Sequence, residues 1–158
     1  MKKKWLIPIG IVVVLLLLST KKAFAQVVPS MRIRGCDPDS LGCGSFGASR
    51  TGHKHQGIDL VVAKGQPVYS PISGTVTRFP FPYGDDLRYT GVEIKNAGHS
   101  IKLFYISPTV IAGDIVNAGE QIGTAQDIAA KYSPKMTNHV HLEVRDATGK
   151  ILDPTNLF

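Results

Sequence analysis

Four of the five histidines in this 158-residue sequence fall in two short stretches, HKHQGIDL (His53–Leu60) and HVHLEVR (His139–Arg145). In an extended strand, residues two apart share a face and lie about 6.6–6.8 Å apart. The second stretch, read as a strand, therefore carries His139, His141, Glu143 and Arg145 on one face and Val140, Leu142 and Val144 on the other. The apolar face belongs in a core, and the imidazoles look into a cleft or solvent. In the first stretch His55 and Asp59 are four apart with Gly57 between them, a spacing at which a glycine lets the chain turn and both side chains converge. Neutral imidazole and carboxylate are ordinary zinc ligands, and three of them with one spare histidine make a catalytic zinc site with an open fourth position. His53 offers a rival ligand or a plain surface residue.

The elements that must position these groups are strands. From Gly57 onward, short β-branched or aromatic runs are broken by Gly, Pro and Asn, which predicts strands at Ile58–Val62, Pro67–Ser70, Gly74–Phe79, Val92–Lys95, Ile101–Ile106, Gln121–Ala125 and His139–Arg145. Ile128–Tyr132 has the composition for a turn or two of helix. His99 falls in an apparent NAGHS turn. The expected fold class is all-β, mainly antiparallel. The Phe79–Gly91 connection, FPFPYGDDLRYTG, is long and aromatic, and it either lines a groove or packs on itself.

Residues 1–25 have the anatomy of a secretory signal peptide: lysines at the start, an apolar run from Trp5 to Leu18, and Ala23-Phe24-Ala25 as a cleavage signal. The run spans about 21 Å as a helix, short of a ~30 Å hydrocarbon core, which favours cleavage over anchoring. Lys21 and Lys22 lie between the run and the cut, where positive charge opposes export, so an uncleaved membrane anchor is the alternative. The leader holds five of the 18 basic residues and none of the 12 acids, leaving +1 for the remainder. The pI of 9.4 thus describes the leader and is no argument for nucleic-acid binding.

Residues 26–49 are irregular in pattern and carry both cysteines, Cys36 and Cys43. In an exported chain such a pair forms a disulfide in preference to two free thiols or half of a zinc site. The remaining span, 50–158, reads as one β domain with a single core.

The segments HQGIDLVVAKGQPVYSPISGTVTRF, GEQIGTA, HVHLEVR and LDPTNLF together resemble the lysostaphin-type zinc metallopeptidase family. The resemblance implies a barrel- or sandwich-like β domain, one Zn2+ on His55, Asp59 and His141, His139 as a catalytic histidine, and peptidoglycan cross-link peptides as substrate. It also implies a secreted or cell-envelope location. Members that hydrolyse peptides carry a further histidine in a Tyr-x-His-Leu segment, whereas the matching KLFYISP places Tyr105 there. A tyrosine can donate a hydrogen bond to an oxyanion but is a poor base at neutral pH. The resemblance therefore implies weakened peptidase activity at Tyr105, or an inactive zinc-binding module that holds peptidoglycan or a protein partner. The cysteine pair, HQGIDL, KLFYISP and HVHLE also resemble the leukocyte cell-derived chemotaxins, a secreted animal branch with tyrosine at this position and no established peptidase activity.

Overall fold

A computed structural model describes residues 24–36 and 42–158. The expected leader lies outside the described residues except for Phe24 and Ala25. Those two are packed: Phe24 is buried against the rings of His99 and Phe158, and the Ala25 N–H donates to the Pro71 carbonyl at 2.8 Å. Val27 and Val28, fully buried, carry the same segment into the core.

The strands are β1 (Ser49–Arg50), β2 (His53–Lys54), β3 (Ile58–Val61), β4 (Pro67–Tyr69), β5 (Gly74–Arg78), β6 (Gly91–Lys95), β7 (His99–Phe104), β8 (Ile106–Pro108), β9 (Ile115–Val116), β10 (Gln121–Ala125), β11 (His139–Asp146) and β12 (Ile151–Leu152). One short helix, α1 (Ala129–Tyr132), precedes β11. All pairings are antiparallel. The large sheet runs β12-β11-β7-β6-β5-β9, with β3 also paired to β11; β4-β10-β8 form a second sheet and β1-β2 a hairpin.

Period-two alternation decides the faces of the large sheet. Val140, Leu142 and Val144 of β11, Ile101 and Leu103 of β7, and Val92 and Ile94 of β6 are fully buried on one side. Each such side chain contributes about 1.5–3 kcal/mol by leaving water. The other side is polar, and its register builds a cross-strand row of Glu143, Lys102, Glu93 and Arg78. The next row is His141, Phe104 and Gly91. Core packing on one face thus fixes which residues the opposite face presents to the site.

The expected strand Ile101–Ile106 is interrupted. Tyr105 has φ 67° and separates β7, in the large sheet, from β8, in the small one. Its N–H and that of Ile106 both donate to the Thr90 carbonyl, at 2.8 and 3.1 Å, and its own carbonyl accepts from the Gln126 N–H at 2.8 Å. The chain changes sheets at this residue. A left-handed conformation costs a bulky residue about 1–3 kcal/mol, which these three bonds offset. His99 also differs from expectation: Asn96 Oδ1 accepts from the N–H groups of Gly98 and His99, closing the turn early so that His99 begins β7.

Candidate metal centre and groove

Asp59 on β3 and His141 on β11 are directly opposed cross-strand partners, and His55 approaches from just beyond β2. Gly57 makes this approach possible, though not by a left-handed turn, since its φ is not positive. A Cβ there would lie 2.1 Å from the Leu142 carbonyl oxygen and 2.9 Å from the His141 ring. The residue midway between His55 and Asp59 must be glycine because β11 passes over it.

His55 Nε2, Asp59 Oδ1 and His141 Nδ1 converge, with separations of 2.9 Å between the imidazole nitrogens and of 3.2 and 2.9 Å from them to the carboxylate. The tautomers follow from the far sides of the rings. His55 Nδ1 donates to the Ser45 carbonyl at 2.8 Å, and His141 Nε2 faces Glu143 Oε1 at 3.5 Å. In the neutral rings both inward nitrogens then carry lone pairs, facing each other and a carboxylate oxygen. Such a triangle is repulsive unless a cation lies among its corners. Donors of a tetrahedral zinc ion with bonds of about 2.0–2.1 Å stand about 3.3 Å apart, so the donor set and its size fit zinc.

The charges say the same. Burial disfavours the Asp59 carboxylate, but the hydrogen bonds to His141 and His55 and the fields of His139 and His141 outweigh it and hold the group far below the usual carboxylate range. Burial likewise opposes charge on His141, yet Asp59 and then Glu143 push its pKa up to about 9. In the metal-free protein a proton on His141 thus occupies the role of the cation.

His139, also buried, stands beside this group, its Nε2 3.7 Å from Asp59 Oδ2. Its Nδ1–H donates to the Thr137 carbonyl at 2.8 Å. Burial lowers its pKa, with partial opposition from Asp59. The Tyr105 ring stands edge-on to the His139 ring with centroids 5.5 Å apart. Its hydroxyl is 3.1 Å from that of Tyr83, which accepts from Tyr132 at 2.8 Å. Burial is the main cause that pushes the Tyr105 phenol up to about 12.

These residues floor a groove of about 580 Å³. The Phe79–Gly91 connection supplies Pro82 and Tyr83 to one wall, as a groove-lining loop should, and Tyr132 and Met136 continue it. Arg50 and the exposed His53 of the β1-β2 hairpin, with buried Arg34, also line the groove. His53 contacts the Thr51 carbonyl and is not among the converging donors. Cys36 and Cys43 are joined in a disulfide. Sequence reasoning missed Arg34, Arg50 and Tyr132, whose places depend on tertiary contacts; Tyr83 was signalled only by the aromatic character of its loop.

Similarities to known proteins bear on this geometry. The pattern of Peptidase family M23 matches residues 53–154. Leukocyte cell-derived chemotaxin-2 of Mus musculus is 35% identical over 127 residues, covering 80% of this chain and 79% of that protein. Among solved structures, the catalytic domain of lysostaphin from Staphylococcus simulans superposes with a TM-score of 0.52 at 23% identity, covering 73% of this chain and 86% of that one. A chain of the SpoIIIAH–SpoIIQ complex gives a TM-score of 0.60 at 25% identity, covering 85% of this chain and 99% of that one.

Proposed function

Since this chain belongs to peptidase family M23, we propose that it binds one zinc ion and slowly hydrolyses peptide links of peptidoglycan. His55 Nε2, Asp59 Oδ1 and His141 Nδ1 would hold the ion. Bound there, it supplies a Lewis acid that polarises a peptide carbonyl and acidifies a water.

The observation that carries this reading is the state of His139. With Nδ1 donating to Thr137, its neutral ring keeps a lone pair on Nε2, turned toward the Asp59 side of the groove. A lowered pKa keeps that ring unprotonated at neutral pH, the state a base needs to take a proton from the attacking water. Tyr105 acts as a donor only, because a phenol pushed up to about 12 keeps its proton at neutral pH. Tyr83 accepts from Tyr132 and has its own proton to give to Tyr105, an arrangement that leaves the Tyr105 proton to meet a developing oxyanion. One imidazole and one phenol in place of two imidazoles account for slow turnover.

The chain would work outside the cytoplasm, in a secreted or cell-envelope setting. The lysine-rich apolar leader and the Cys36–Cys43 disulfide support that placement.

A second reading is a zinc-stabilised module that binds peptidoglycan or a protein without cutting it. The Tyr105 hydroxyl engaged with Tyr83 favours it, and the SpoIIIAH–SpoIIQ complex has this fold in a protein assembly. Release of new amino groups from purified peptidoglycan by the zinc-loaded protein, abolished by a chelator, supports hydrolysis. Retention of the protein on peptidoglycan with no release at any concentration supports the second reading.

A further inference from the structure

Asp59 divides its two carboxylate oxygens between two different parts of the chain. Oδ1 faces His55 and His141, whereas Oδ2 accepts from Arg34 Nη2 at 2.8 Å. Arg34 lies ahead of the span matched by the family pattern, and its side chain is buried. The backbone ties both residues to the same segment. The Arg34 N–H donates to the Asp59 carbonyl at 2.7 Å, and the Asp59 N–H donates to Gly44 O at 2.8 Å. Arg34 Nη1 donates at 2.9 Å to Gly42 O, next to Cys43 of the disulfide. Gly44 is constrained as tightly, since a Cβ there would lie 2.6 Å from the Arg34 carbonyl oxygen and 3.0 Å from the Asp59 Cβ.

We propose that Arg34 is a positioning residue of the metal centre, fixing the Asp59 carboxylate so that Oδ1 alone is offered to a metal ion. Two chemical consequences follow. An occupied Oδ2 keeps Asp59 a one-oxygen ligand, which preserves an open coordination position for water or peptide. A buried guanidinium on the same carboxylate also draws charge from it, making it a weaker donor and leaving more positive charge on whatever ion it helps to hold. The disulfide-bearing segment is then part of the metal centre as well as a support for the fold.

This inference rests on the metal reading above, so the test begins with the wild-type chain loaded with Co2+, whose visible spectrum reports coordination. Zinc affinity is measured in parallel by chelator competition. Arg34→Gln should weaken zinc binding about 10–100-fold, as removal of a group supporting a ligand commonly does, and should shift the cobalt bands as Asp59 becomes free to use both oxygens. Arg34→Lys, which keeps the charge but not the paired donors, should give a smaller loss of affinity and a spectrum between the two. It also keeps the test decisive if Arg34→Gln does not fold, because an unchanged spectrum and affinity in Arg34→Lys would overturn the proposal. The same is true of a folded Arg34→Gln that matches wild type in both readouts. A wild-type chain that takes up neither Zn2+ nor Co2+ overturns the metal reading itself, and this proposal with it.

Discussion

The Tyr105 ring meets the His139 imidazole edge-on, centroids 5.5 Å apart, at the one described non-glycine residue with a positive φ. The phenol therefore occupies the ground beside the proposed base, and its replacement reads out what it does there. Histidine tolerates the left-handed region better than most residues. Tyr105→His should fold and raise the rate on peptidoglycan by up to about 10²–10³ by supplying a second imidazole, while Tyr105→Phe should lower it. Initial rates of amino-group release for the three proteins, at equal zinc content, check this. Equal rates for Phe and Tyr would assign Tyr105 to packing alone.

Glu143 faces the outer nitrogen of His141 at 3.5 Å, and its carboxylate is held below its ordinary range: burial opposes this, but the hydrogen bond to His141 prevails. A carboxylate in that position fixes the tautomer that leaves a lone pair on Nδ1, the donor the proposed zinc site requires. Glu143→Gln should retain the fold and weaken zinc binding about 10-fold or more. Chelator competition measures the change. A small change would show that strand pairing alone orients the ring.

Gly57 sits beneath the Leu142 carbonyl and the His141 ring. Gly57→Ala forces β11 or the His55–Asp59 segment to move, because the blocking atom at 2.1 Å is backbone. We expect a loss of about 2–4 kcal/mol in stability, together with a clear fall in zinc stoichiometry. Denaturant unfolding of the metal-free protein separates the two effects, since the stability loss should persist without metal.

In the metal-free protein His141 has its pKa raised to about 9 against an ordinary value of 6.5. Its folded-state proton is therefore stabilising below pH 6.5, and that contribution is lost as pH rises through 9. The melting temperature of the metal-free protein should fall over this window. Zinc must displace the same proton, so apparent zinc affinity should climb across the window. His141→Ala should remove both trends. Thermal melts of metal-free protein from pH 6 to 9.5 supply the check.

The sequence disclosed the site unevenly, for physical reasons. Alternation in VHLEV placed β11 and its faces correctly because a two-residue period is written into the chain. The break at Tyr105 left no such mark: an apolar run ordinarily continues as a strand, and here the Thr90 carbonyl, accepting from Tyr105 and Ile106, and the Gln126 N–H, donating to Tyr105, impose the turn. Strands β1, β2, β9 and β12, of two residues each, are too short for any periodicity. Gly57 was recognisable as necessary, but its reason, the passage of β11, is a tertiary contact. Arg34 was illegible because its partner lies 25 residues away.

The unequal roles of two histidines on one strand face are the central claim, and the zinc content and peptidoglycan hydrolysis of His139→Ala test it most directly. The account predicts one zinc per chain, as in wild type, with amino-group release reduced at least about 100-fold, the scale of a lost general base. Loss of the zinc, or release at the wild-type rate, would contradict it.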